Sequence, residues 1–123
     1  CLAFCTLPAA FAAQAQTAAP PALELLVLGS GGPGATGRAG SAYAVLVDGV
    51  ARVFVDAGPG SFVRLGEAKL ALAQADIVLL THLHVDHAGG LPGLFKARAV
   101  SKRGPVDFKI FGPAGRRALD ADD

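Results

Sequence analysis

The chain has no tryptophan and no methionine, a single tyrosine, two cysteines and three histidines among its 123 residues. Each shortage excludes something. Without methionine there is no initiator residue, so the chain reads as a processed or partial product whose start lies upstream. Both cysteines, Cys1 and Cys5, fall in the first few residues. The remainder can form neither disulfides nor thiolate metal ligands. Eleven basic residues against ten acidic ones leave a net charge of +1, and such balance gives no basic footprint of the kind nucleic-acid binders carry. The one local cluster, Lys96, Arg98, Lys102 and Arg103, reads as a solvated loop face, with steering of an anionic substrate as the alternative. No apolar run is long enough for the about 20 residues that cross a bilayer. Apolar material is plentiful all the same: 52% of the chain is hydrophobic, enough for the core of one small domain or part of a larger one.

The first segment, "CLAFCTLPAAFAAQAQTAAPPA", is apolar and small-residue-rich before it turns to Gln, Thr and Pro. It resembles the hydrophobic region of a secretory signal followed by an "AQA" cleavage site at Ala13–Ala15, with the charged start missing. An Ala-rich leader without structure is the alternative. The expected organisation is therefore a signal peptide over 1–15, a Pro/Ala linker over 16–22 and a folded segment over 23–123, in a periplasmic or secreted protein.

From Leu23 onward the pattern is β-rich. Leu23 to Leu28 is a short apolar run bounded by Pro and Gly, as in a buried strand. Tyr43, Val45 and Val47 alternate before Asp48-Gly49, and Val53 and Val55 after it, the strongest short hairpin signal there is. Ser61 to Leu65 has helical character, with Ser61 as N-cap and Gly66 as stop. "ADIVLLTH" reads as a buried strand ending at Thr81, "HAGGLPGLFKARA" as one short glycine-interrupted helix, and "VDFKIFGP" as a further strand. "GPAGRRALDADD" starts what reads as a last helix. The sum is an α/β layered fold, with an early antiparallel hairpin that argues against a purely parallel sheet.

Two motifs compete for the chemistry. Gly29, Gly31 and Gly34 in "GSGGPG" match G-x-G-x-x-G after a strand, the outline of a dinucleotide site. Such a loop must open a helix whose N-terminus faces the pyrophosphate, yet "ATGRAGSAYAVLV" runs on through two more glycines into the hairpin. A tightly turned connecting loop is the plainer reading. The second motif, "THLHVDHAGG", holds every histidine of the chain. His82 and His84 lie two apart at a strand end, so an extended backbone points both the same way. Asp86 and His87 follow at the turn into a helix. Imidazole nitrogens and a carboxylate oxygen are suitable Zn²⁺ ligands, and one pair for each of two ions fits a binuclear site with metals roughly 3.5–4 Å apart. Gly89 and Gly90 would let other backbone approach closely.

The same stretch resembles the metal-binding signature of the metallo-β-lactamase-fold hydrolases, and the match to H-x-H-x-D-H is complete. "LLVLGSGGPG", "VFVDAGPGS", "THLHVDHAGGLPGLF" and "FKIFGPAG" resemble, in that order, the ribonuclease Z and arylsulfatase-like branch. The resemblance implies an αββα sandwich of two similar halves, of which this chain supplies about the first. It also implies that His82 and His84 hold one metal, Asp86 and His87 the second, and that a complete domain carries two Zn²⁺. Asp56, in "VFVDAG", matches an Asp bordering the family's site and is expected to orient a ligand or shape the loop. Capping a turn before Gly58 is the alternative. The family takes a further His on each metal and a bridging Asp from later in the chain. No histidine follows His87 here, so the segment alone is expected to be inactive.

The function these features imply is metal-assisted hydrolysis of a phosphodiester, sulfate ester or related ester, with Asp86 also serving the attacking water as a catalytic hydrogen-bond or proton acceptor. Export and the lack of a basic patch favour a small-molecule substrate over nucleic acid. Ribonuclease Z-type processing of precursor tRNA and a non-catalytic metal-binding segment are the alternatives.

Overall fold

A computed structural model describes residues 19–34 and 36–114. The expected signal peptide, the first three residues of the linker (16–18) and all but the start of the last helix therefore lie outside the described residues. Five strands form one mixed sheet in the order β1-β2-β3-β4-β5. β1 (Leu23–Gly29), β2 (Ala42–Val47) and β3 (Val50–Val55) form an antiparallel meander. β4 (Ile77–Leu79) and β5 (Lys109–Phe111) then add in parallel.

Local chemistry accounts for most of this order. Asp48 and Gly49 both take positive φ, 50° and 76°, the requirement of the two-residue turn whose twist matches a hairpin. The chain then switches to parallel pairing, which demands crossovers. α1 (Ser61–Glu67) carries the first, and α2 (Val85–Ala88) with α3 (Leu91–Lys102) carries the second. The expected single helix after the histidines is thus two helices, broken at Gly89-Gly90 and restarted with Pro92 in the first turn of α3, where proline loses no hydrogen bond. Ser61 is not the N-cap of α1. Gly60, at φ 85°, takes that place, Ser61 is buried inside the helix, and the helix runs through Gly66 to cap at Ala68.

The helices lie on one face of the sheet. Leu28, Ala42, Ala44, Leu46, Ala51, Phe54 and Val78 meet Leu65 of α1, Leu94 of α3, and Leu72 and Ala75 of the loop before β4. On the opposite face the pairing registers align Leu25, Val45, Val53 and Ile77, and beside them Val27, Tyr43, Val55, Leu79 and Phe111. No described residue covers that apolar face: Leu25 is 62% exposed, Val27 54% and Phe111 56%. The expected burial of the Leu23 to Leu28 run is therefore met by Leu28 and in part by Leu26, and not by its alternate residues. One sheet with one helical layer is half of the expected αββα sandwich, and an inner sheet of such a sandwich is apolar on both faces.

The basic cluster on α3 also departs from expectation. Lys96, Arg98 and Lys102 lie on the helix rather than a loop, with Arg103 at its C-cap, and Arg98 is 3% exposed. α3 is long enough to carry that side chain inward over the loop before β4, where its Nε donates to the Ala75 carbonyl at 2.7 Å.

Candidate metal centre

Three segments meet beyond the carboxyl ends of β3 and β4, the end at which open α/β sheets hold their ligands. They are the turn after β3 (residues 56–60), the loop after β4 (residues 80–84) and the corner between α2 and α3. Backbone hydrogen bonds lace them together. Asp56 N–H donates to Leu79 O at 2.8 Å, Ala57 N–H to His87 O at 2.6 Å, and Gly90 N–H to Ala57 O at 2.6 Å. So close an approach requires glycine. A Cβ on Gly58 would fall on the Asp86 carbonyl oxygen, and one on Gly90 on the Gly58 carbonyl oxygen.

Asp56 is at the centre, 2% exposed and held at φ 57°, in the left-handed region that few residues other than glycine, Asn and Asp adopt. Strain of this kind collects at functional sites. The Asp56 Oδ1 accepts the Thr81 backbone N–H at 2.8 Å, and Oδ2 accepts the Thr81 hydroxyl at 2.8 Å and His87 Nδ1 at 2.7 Å. Burial pushes the Asp56 carboxyl up. Hydrogen bonds from His87 and Thr81 outweigh it and hold the group below its ordinary range.

That network assigns the tautomers of two histidines. His87 gives its Nδ1 proton to Asp56, which leaves the Nε2 lone pair free. The Thr81 hydroxyl has spent its one proton on Asp56 and so accepts from His82 Nδ1, 3.1 Å away, which frees Nε2 there too. His87 Nε2 stands 3.5 Å from Asp86 Oδ2. Two ligands about 2.0–2.2 Å from one tetrahedral zinc are separated by roughly 3.3–3.6 Å. The His82 ring lies 3.9 Å from that of His87 and edge-on to that of His84 at 4.8 Å, centroid to centroid.

The structure thus brings His82, His84, Asp86 and His87 into one cluster over Asp56. His82 and His84 lie past the end of β4 rather than on it, with their rings adjacent and edge-on. Among the described residues no three of these side chains close around a single point that would hold an ion. The donor chemistry fits zinc nonetheless. Neutral imidazole nitrogens and a carboxylate oxygen are available, and the Asp56 carboxylate fixes the His87 ring from behind, as outer partners of zinc ligands do.

Asp56 reaches the His87 ring directly, Oδ2 to Nδ1, the contact a ligand-orienting role would use. Thr81 was not singled out from the sequence. Its place directly before His82 was the only signal, and its partner Asp56 is 25 residues away. The Gly29–Gly34 loop returns to β2 with no helix behind it among the described residues, so it lacks the helix N-terminus a dinucleotide site needs.

Comparison with known proteins agrees with this architecture. Residues 35–121 match the family model described as the Metallo-beta-lactamase superfamily. A ribonuclease Z of Ignicoccus hospitalis is 36% identical over 93 residues, covering 75% of this chain and 30% of that protein. A ribonuclease Z of Streptococcus suis is 32% identical over 99 residues, with 79% and 32% covered. Among solved structures, the short form of human tRNase Z superposes with a TM-score of 0.60 at 32% identity, covering 74% of this chain and 35% of that one. The metallo-beta-lactamase fold protein YhfI of Bacillus subtilis gives 0.57 at 27% identity, with 73% and 36% covered. The chain spans about a third of the length of the curated relatives it matches. Fold, residue cluster and family model coincide over the same stretch, and the chain belongs to the metallo-beta-lactamase superfamily.

Proposed function

We propose that the protein is a metal-dependent hydrolase of phosphodiester bonds in RNA, of the ribonuclease Z type, with two zinc ions per complete domain. His82 and His84 would hold one ion and Asp86 and His87 the other. The observation that carries this reading is the Asp56–Thr81 network, which leaves the Nε2 lone pairs of His82 and His87 free, that of His87 beside Asp86. The names of the relatives move the substrate from the small ester favoured by composition toward RNA. The even charge balance does not oppose an RNA substrate, because a chain spanning a third of its relatives need not contain the surface that grips RNA.

When bound, the zinc ions would supply Lewis acidity and bring the pKa of water to about 7. The chain's own residues do the rest. Asp56 and Thr81 lock His82 and His87 in the ligating tautomer. Asp86, beside His87, has a second carboxylate oxygen to accept a hydrogen bond or proton from the attacking water. The glycine-lined corner holds the Asp86 backbone against Gly58.

The leader-like segment over 1–15 favours a second reading, an exported hydrolase of small phosphodiesters or sulfate esters. The intact protein should be assayed on a precursor tRNA with a 3′ extension and on a chromogenic phosphodiester and sulfate ester. Endonucleolytic cleavage of the tRNA, lost in Asp86→Ala, is the expected result. Turnover of only the small esters would select the second reading. Near-wild-type activity on every substrate in Asp86→Ala and His87→Ala would remove both.

A further inference from the structure

A second polar site lies at the other end of the sheet. Asp76, just before β4, and Lys109, the first residue of β5, mark the amino ends of the parallel strands, away from the histidines. There a cleft of about 540 Å³ opens between α3, the loop before β4 and β5, within the roughly 300–1,000 Å³ typical of small-ligand sites. Arg52, Arg98, Lys102 and Lys109 line it, against the two carboxylates Asp76 and Asp107. The cations therefore outnumber the anions.

Arg98 is the unusual member. It is 97% withdrawn from solvent at 3% exposure. Its Nε is fixed on the Ala75 carbonyl at 2.7 Å and its guanidinium carbon lies 6.0 Å from the Phe108 ring centre. Yet its Nη1, fully buried, has no hydrogen-bond partner among the described residues. A buried guanidinium N–H without an acceptor is costly and calls for a partner. Neither carboxylate of the cleft supplies one: Asp107 turns to Lys102 at 3.8 Å and Asp76 forms no ion pair with Arg98. The β-bulge between β2 and β3 leaves Arg52 without a cross-strand partner and exposed toward the cleft, the re-aiming of a side chain that bulges produce.

We propose that this cleft is a phosphate-binding site, with Arg98 as its fixed fork and Arg52, Lys102 and Lys109 as its rim. A planar guanidinium with pinned Nε offers its remaining N–H groups in the geometry that phosphate oxygens match, and the lysines add point charges. The phosphate belongs either to a small monoester or to an RNA strand. The site is separate from the metal centre and does not depend on it.

Calorimetric titration of the intact protein with inorganic phosphate, AMP and a short single-stranded RNA tests the proposal. Arg52→Gln combined with Lys109→Gln removes two exposed rim charges without touching the core. Millimolar or tighter binding of phosphate and AMP, weakened roughly tenfold or more in the double variant, assigns a small-ligand site. Binding of RNA alone with the same loss assigns the strand backbone. Hydrolysis of a small diester should be unchanged in the double variant, which separates this site from the metal centre. Arg98→Lys, if folded, should lose the thermal stabilisation that phosphate gives the wild type. Absence of binding by all three probes, or equal binding by wild type and double variant, overturns the proposal.

Discussion

Replacing Asp56 by Asn reverses one proton. Asn tolerates the left-handed backbone at φ 57°, and its amide oxygen can still accept the Thr81 backbone N–H at 2.8 Å. The amide nitrogen then faces His87 Nδ1, which now lies 2.7 Å from a carboxylate oxygen. Two donors cannot share that line. His87 must move its proton to Nε2, the atom that stands 3.5 Å from Asp86 Oδ2 and is the one free to hold a metal. Loss of such an outer partner lowers metal affinity about 10–100-fold, or roughly 1.4–2.7 kcal/mol. The exchange of a charge-assisted bond for a neutral one costs fold stability about 1–3 kcal/mol. Zinc affinity, read by competition with a chelating dye on the intact protein, should fall by that factor while a cooperative melt persists. Asp56→Ala should cost more stability, since it leaves the Thr81 and His87 donors without an acceptor. Unchanged zinc affinity in a folded Asp56→Asn variant would refute the assignment of the tautomer.

Other perturbations test neighbouring parts. Thr81→Val keeps the backbone N–H bond to Asp56 but removes the hydroxyl that links Asp56 to His82, so zinc affinity should fall about tenfold with little change in a denaturant midpoint. Gly58→Ala sets a methyl on the Asp86 carbonyl, against backbone that cannot rotate away. It should destabilise by at least about 1–3 kcal/mol in urea titration, and equal stability would show that the corner is looser than described. The uncovered sheet face predicts that the 123-residue chain self-associates when expressed as such. Leu25→Lys with Val27→Lys, both more than half exposed, should reduce the sedimenting aggregate without lowering stability.

Local features were legible in the sequence wherever their cause was local. Asp48-Gly49 announced its hairpin because positive φ at both positions is a property of those two residues. The spacing of His82, His84, Asp86 and His87 announced a cluster because the backbone between them is short. What escaped is held by partners far along the chain. Thr81 and His87 meet Asp56 across 25 and 31 residues, and no periodicity encodes that. Gly58 is required because the backbone of Asp86 and of Gly40 backs onto it. Arg98 read as a surface charge because its acceptor, Ala75 O, is a backbone atom supplied by the fold. Ser61 fits the pattern of a cap, yet Gly60 could take a φ of 85° at less cost.

One measurement bears most directly on the proposed chemistry: metal content of the gently purified intact protein by elemental analysis, with anomalous diffraction to locate the ions. Two zinc ions per chain, one against His82 and His84 and one against Asp86 and His87, is the expected result. A folded, active protein with no metal within ligand distance of these four side chains would contradict it.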